Sequence, residues 1–353
     1  MNDALTAEAV AAVDSSGLLA DMLAMPDHIT DAMWRAESAF LQPAKARAMV
    51  VCGMGGSAIG ADLAATLIGP RAGGPLVTAR GYALPSWVGE DDAVVLSSYS
   101  GSTEETLSCF EQAKASGARL YVVSSGGPLS EAAHASGIPV IGLPGIFQPR
   151  AAVAYGVVAV AEIAIANGLA PAAIHDEFNA AAELLKTLGS SWAPGGEDET
   201  AMHLARSAFG RLPIIYGADL TVPVAYRWKC QINENAKYPA WSASLPEANH
   251  NEICGWEGAT ELAENTAWFL ADRDQHPRIA ERIRVVSEIA SAHRAQAQTI
   301  EVSGETRSER MFAHVLLGDL TSLYLAVLRG VDPTPVPLIE DLKDQLGRPT
   351  SAG

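Results

Sequence analysis

Ala93-Val-Val-Leu-Ser-Ser-Tyr-Ser-Gly-Ser-Thr-Glu-Glu-Thr106 is a short apolar run that stops in a glycine- and hydroxyl-rich turn and resumes as a helix-like stretch. The same order stands upstream in Ala48-Met-Val-Val-Cys-Gly-Met-Gly-Gly-Ser-Ala-Ile-Gly60. A strand that ends in such a turn and opens a helix gathers unpaired N–H groups and the positive end of a helix dipole at one spot. Glycine lets the backbone turn tightly and come close to a ligand. The result is an anion site built without lysines. A nucleotide loop wants a long glycine arch and a Lys-Ser/Thr pair, and neither occurs here. Instead Ser57, Ser98, Ser100, Ser102 and Thr103, with the backbone of Gly55 and Gly56, offer donors for one compact tetrahedral phosphate.

Working outward, apolar runs at Met49–Cys52, Pro75–Ala79, Val94–Ser97, Leu120–Val123 and Val140–Leu143 alternate with helix candidates at Ser57–Ile68, Thr103–Ser116 and Pro128–Ala135. Such alternation predicts a parallel sheet covered on both faces, with ligands at the carboxyl ends of its strands, where both loops fall. Residues 1–45 read as helical, and 151–185 as all-helical. The apolar window Ala151–Ala161 is stopped by Glu162 and is too short to span a bilayer. Pro194 and the pair Gly195-Gly196, followed by acids, mark a linker. The pattern then restarts, with strands at Leu212–Gly217, Thr266–Leu270 and Gln298–Val302 and helices through Tyr226–Ala236, His276–Ala292 and Arg310–Arg329. The expected organisation is an N-terminal helical segment (1–45), a first α/β domain (46–188), a linker (189–200) and a second α/β domain with a C-terminal helix (201–353), a cleft lying between the two.

With 24 basic and 41 acidic residues, the net charge of -17 excludes a nucleic-acid footprint. An anionic substrate is repelled at long range, so its binding has to come from local donors. The four cysteines form no C-x-x-C pair, which fits a reduced, cytoplasmic compartment. The N-terminus carries no basic-then-apolar targeting pattern. Its eight histidines are scattered, with no H-x-x-x-H spacing, so the sequence gives no support for a metal.

Each motif has a plainer reading. Gly53-x-Gly55-x-x-Ala58 also fits a dinucleotide fingerprint, yet the next strand ends Val77-Thr-Ala-Arg-Gly81, without the acid that would hold a ribose. Arg80 would suit a 2′-phosphate, which keeps an NADP oxidoreductase open as an alternative. Ser102-Thr-Glu-Glu105 has capping-box spacing, although four hydroxyls in six residues exceed what a cap needs. Glu234, ending a helix that contains Val224, Tyr226 and Trp228, is placed to be partly buried and to act as a base. His250 stands on a loop after Pro246, where a side chain can project into a cleft. Arg150 follows the strand at Val140–Leu143, where a cation can hold a phosphate or a developing enolate oxygen. Lys343, on an amphipathic terminal stretch, reads by composition alone as a surface lysine.

Taken in order, Gly53-Met-Gly-Gly-Ser-Ala-Ile-Gly60, Ser98-Tyr-Ser-Gly-Ser-Thr-Glu-Glu-Thr106, Pro149-Arg150, Asn233-Glu-Asn235, Pro246-Glu-x-x-His-Asn-Glu-Ile253, Gly255-Trp256 and Leu342-Lys343 resemble the bifunctional phosphoglucose/phosphomannose isomerases of the sugar-isomerase (SIS) superfamily. The resemblance runs from about residue 45 to about residue 346. It implies two SIS-type α/β/α sandwiches with mostly parallel five-stranded sheets, a homodimer, a phosphorylated hexose substrate and no metal or other cofactor. It places phosphate binding on Ser57, Ser98, Ser100 and Thr103, the base on Glu234 and enediolate stabilisation on Arg150. Ring opening falls on His250, contributed by the neighbouring subunit, with Lys343 assisting at the ring oxygen. One position departs from the family's usual S-Y-S-G-N-T: Ser102 stands in place of Asn. A non-catalytic sugar-phosphate sensor is the other reading such domains allow.

Overall fold

Strands buried from end to end, such as Met49–Cys52 and Ala93–Ser97, need cover on both faces, and helices supply it here. A computed structural model describes residues 5–346. After three helices, α1 (Ala7–Ala11), α2 (Leu18–Leu23) and α3 (Met25–Ser38), the chain enters β1 (Met49–Cys52), α4 (Gly55–Ile68), β2 (Leu76–Ala79), β3 (Ala93–Ser97), α5 (Glu104–Ser116), β4 (Arg119–Ser124), α6 (Gly127–Ala135) and β5 (Val140–Gly142). These strands form one parallel sheet in the order β2-β1-β3-β4-β5. Helices α7 (Val153–Ala166), α8 (Ala173–Trp192) and α9 (Thr200–Ala208) follow. The second sheet is built from β6 (Leu212–Ala218), α10 (Val222–Asn235), β7 (Trp241–Leu245), α11 (Ala259–Leu262), β8 (Asn265–Leu270), α12 (Pro277–Ala292) and β9 (Gln296–Ile300). Its order is β7-β6-β8-β9, again all parallel. Helices α13 (Arg307–Arg329) and α14 (Pro337–Leu346) close the described chain.

Alternation along each strand sends side chains to two separate cores. From β1, Val50 and Cys52 join Phe110 and Cys109 of α5 and Leu129 of α6. Met49 and Val51 point the other way, into a core that also receives Ile215 of β6 and Trp268 and Leu270 of β8. The second sheet's outer residues, Tyr216 and Phe269, pack instead on Ile279 and Ile283 of α12. The two sheets therefore share one helical layer, centred on α13, which packs against α8, α9 and α10. That helix is long and apolar enough to cross a membrane, but 89% of its most apolar window is buried inside the protein.

The expected α/β fold class holds, with two local departures. The second sheet has four strands among the described residues, where five were expected. Strand β7 escaped the sequence reading because Trp-Ser-Ala-Ser-Leu lacks the β-branched apolar run of the others. It lies at a sheet edge, half exposed. The plainer capping alternative for Ser102 does not hold either: α5 opens at Glu104, its N-cap is Thr103, and no side chain caps it.

Close approach of α10 and α13 depends on Gly318, where a Cβ would lie 2.1 Å from Trp228 Nε1. That indole is buried and donates to the His314 carbonyl at 2.8 Å. Gly318→Ala forces the helices apart or breaks this bond, and overpacking of this kind costs about 1–3 kcal/mol. A lowered midpoint in urea or thermal unfolding is expected. An unchanged midpoint would show that the indole swings aside freely.

Candidate active site

Four segments meet at the carboxyl ends of the first sheet, and glycine is what lets them meet. A Cβ on Gly53 would stand 2.8 Å from the Ser97 carbonyl, so the first loop can lie against the second only without a side chain there. On Gly56 it would stand 3.3 Å from the Pro149 carbonyl, which brings the same loop against the Pro149–Arg150 backbone. Gly101 adopts φ +67 and presses on the Gly126 carbonyl, and Leu129 N–H donates back to the Gly101 carbonyl at 3.0 Å.

Within the second loop the hydroxyls divide by depth. Ser98 is 1% exposed; its hydroxyl shares a hydrogen bond with Thr103 Oγ1 at 2.7 Å and accepts from Gly101 N–H at 3.1 Å. It braces the turn from beneath. Ser100 and Ser102 are exposed, their hydroxyls 3.0 Å apart, while Ser57 and Thr103 are half-buried. Ser102 therefore reaches Ser100 within its own loop. The open hydroxyls stand over the N-termini of α4 and α5, where helix dipoles favour an anion.

Arg150 is fixed on almost every side. Its Nε donates to Asn235 Oδ1 at 2.6 Å, and its Nη2 donates to the carbonyls of Pro333 and Thr334, both at 2.8 Å. Nη1 faces Glu234 Oε2 at 3.9 Å. Burial pulls this guanidinium below its ordinary value and Glu234 opposes the pull; arginine stays protonated throughout. Glu234 keeps 34% of its side chain exposed, so it is open to a ligand from one side and electrostatically held from the other.

Beneath this pair lies a network that the sequence reading missed. Arg227 donates to Asp319 through both Nε (3.0 Å) and Nη2 (2.6 Å), and Nη2 also donates to the Arg150 carbonyl at 2.8 Å. Gln231 Nε2 reaches Asp319 Oδ1 at 2.9 Å, and Asn235 Nδ2 reaches Ser322 Oγ at 2.9 Å. Arg227, Gln231 and Asn235 stand at four-residue steps on one face of α10, and in the sequence that polar face reads no differently from a solvated one. Lys237 was missed as well.

The remaining expectations land elsewhere. His250 closes a 3-10 turn (Glu247–His250) after β7; it is exposed, and among the described residues no hydrogen bond or ion pair joins it to Glu234 or Arg150. The turn packs on β7, and its Asn249 accepts from Arg282 of α12 at 3.0 Å. Lys343 is exposed on α14. Arg80, the cation a dinucleotide reading relied on, is paired with Asp62 of α4 at 2.5 Å. A cleft of about 660 Å³ runs between the free edges of the sheets, past Thr78, Tyr226 and Ser244, and is separate from the loops.

Paired glycine/serine loops at the switch point of a parallel sheet, beside an arginine facing a carboxylate, define a SIS-type phosphosugar protein. The sequence profile of the bacterial phospho-glucose isomerase C-terminal SIS domain matches residues 197–346. A bifunctional phosphoglucose/phosphomannose isomerase of Caldicellulosiruptor bescii is 38% identical over 302 residues, 84% of this chain and 89% of that protein. One from Aquifex aeolicus is 34% identical over 302 residues, covering 85% of this chain and 90% of that protein. A solved structure, a hypothetical protein of Thermus thermophilus, superposes with a TM-score of 0.72 at 15% identity, covering 96% of this chain and 91% of that one, a likeness of fold. The chain belongs to the bifunctional phosphoglucose/phosphomannose isomerase family.

Asp319→Ala strands the Arg227 charge in a site where Arg227 is 1% exposed. Breaking a buried pair this way costs about 3–5 kcal/mol. The expected result is a large drop in the denaturation midpoint, read by far-UV circular dichroism; a drop no larger than that of an exposed Asp→Ala change would count against the pair as the anchor of Arg150.

Proposed function

We propose that the protein is an aldose–ketose isomerase that interconverts glucose 6-phosphate and mannose 6-phosphate with fructose 6-phosphate through a cis-enediol(ate). The observation that carries this reading is the 3.9 Å approach of Arg150 to a half-open Glu234 beside a phosphate-sized set of donors. Ser57, Ser100 and Thr103, with the backbone N–H groups of Gly55 and Gly56, hold the phosphate dianion, and Ser98 keeps Thr103 in place. With the phosphate fixed, Glu234 takes the C2 proton of the open-chain aldose and returns it to C1. The Arg150 guanidinium balances charge as it develops on the enediolate oxygen. Rotation about C2–C3 lets glucose and mannose 6-phosphates share one intermediate, since both faces of C2 lead to the same enediol.

Ring opening falls to His250 of the partner subunit in a homodimer, with Lys343 at the ring oxygen. Supporting this is the position of His250 within its own chain, exposed and unconnected to Glu234. A cytoplasmic location accords with the reduced cysteines.

Glu234→Gln keeps the side chain's size but removes its basicity, so kcat should fall by about 10²–10⁴-fold or more. Substrate affinity should survive, because the phosphate is held elsewhere. In heavy water the native protein should wash deuterium into C2 of glucose or mannose 6-phosphate, and the variant should not. Near-native turnover by Glu234→Gln removes Glu234 from the chemistry; sugar-phosphate binding with neither exchange nor turnover in the native protein favours the sensor.

Assembly has its own check. Mixing a His250→Ala chain with a Glu234→Gln chain should restore part of the activity through hybrid dimers. No recovery after verified subunit exchange would place both groups in one subunit's site.

A further inference from the structure

Lys237 stands one turn beyond Glu234, in left-handed backbone at φ 49, which only a few non-glycine residues adopt. Arg329, at the end of α13, donates to the carbonyls of Ala236 and Lys237 and so ties this backbone down. The side chain then turns back toward the crossing between α13 and α14. Its Nζ donates to the carbonyls of Asp332 at 2.7 Å, Pro333 at 3.0 Å and Asn235 at 3.4 Å. Arg150 Nη2 uses that same Pro333 carbonyl. Two cations thus grip one stretch of main chain, and the lysine makes no ion pair among the described residues. The nearby Asp332 carboxylate is committed to Thr334 N–H at 2.9 Å and Ser15 Oγ at 2.5 Å.

From this arrangement we propose that Lys237 is a positioning residue, pinning the Asp332–Thr334 crossing to the end of α10 so that Arg150 keeps facing Glu234. The inference rests on the reading of Arg150 and Glu234 given above. Its physical sense is that Arg150 cannot hold the crossing alone. Carbonyls drawn by one guanidinium can pivot about it, whereas a second donor bonded to Asp332 and Pro333 fixes their orientation. The crossing leads directly into α14, so the same grip also sets where the helix bearing Lys343 begins.

The charged groups acting on Nζ are Arg150 from the loop before α7, Asp332 from the crossing and Glu234 from α10; Arg329 of α13 bonds the Lys237 carbonyl and lies over the Tyr238 ring. Burial first, and then Arg150, lower the pKa of the ammonium to about 8, with Asp332 and Glu234 opposing. Below that pH the lysine carries three donors and a charge; as pH rises through it, one donor and the charge are lost and the grip loosens.

The test is the pH profile of fructose 6-phosphate isomerisation by native protein, Lys237→Arg, Lys237→Met and Glu234→Gln. In the native protein kcat/KM should decline as pH rises through about 8. Arginine remains protonated there, so Lys237→Arg should keep near-native activity at neutral pH and carry its alkaline limb at least about one unit higher. Lys237→Met should lose on the order of 10²-fold in kcat, the scale of a misplaced reacting group, with KM changed far less. An alkaline limb in Lys237→Arg that coincides with the native one overturns the proposal, and this comparison decides even if the methionine variant fails to fold. Loss of activity in Glu234→Gln with that unmoved limb sinks the positioning role alone. Near-native activity in Glu234→Gln sinks the underlying reading along with it.

Discussion

The Arg227–Asp319 pair is the interaction on which the arrangement of this protein turns. Both side chains are 1% exposed, and the arginine also donates from its second nitrogen to the backbone of Arg150. Two ions buried this deeply are costly to desolvate, and bidentate geometry with Gln231 as a further donor offsets that cost. The pair joins α10, which carries Glu234, to α13, which runs through the shared core, and both to the loop carrying Arg150. A hydrophobic contact of equal volume would hold the helices together but would not orient a carbonyl. Here the polar network fixes the direction in which Arg150 points.

The two sheets repeat one plan, and only one of them keeps its strand ends open. In the first, strands β1 and β3 release into glycine and serine loops with free donors. In the second, the turn after β6 is filled by Thr221, whose hydroxyl is shared between the Ala218 and Leu270 carbonyls and accepts from Ala218 N–H. After β8 stands Asp272, paired with Arg310 Nε at 2.5 Å, while Arg310 Nη2 reaches Asp274. The protein's own groups thus satisfy in the second sheet what an anion would satisfy in the first. The site's asymmetry follows from which loops retain unused donors.

Much of this was legible in the sequence for physical reasons. Strands β1, β3 and β8 are buried on both faces, and so appear as short, mainly apolar runs between helix-like stretches. Both glycine- and hydroxyl-rich loops were legible because each ends an apolar run and opens a helix. Strand β7 was not, since an exposed edge needs no apolar run. Arg227, Gln231 and Asn235 look like a solvated helix face until Asp319, far along the chain, is brought beneath them. Ser98 looked like one hydroxyl among several, and its burial, with its hydroxyl bonded to Thr103 and to Gly101 N–H, distinguishes it as a brace. The roles of His250 and Lys343 came from the family resemblance, and among the described residues contacts within one chain give neither of them a partner in the site.

The central position of α13 has a consequence for how the chain is made. Its apolar surface covers α8 and reaches α2, both synthesised long before it. As a ribosome releases about 5–20 residues per second, the first sheet can form while one side of its helical layer still faces water. That side is completed only once Arg307–Arg329 has emerged. Until then the nascent chain carries a large uncovered apolar face, and α13 acts as a keystone whose delayed arrival exposes the growing chain to chaperones and to aggregation.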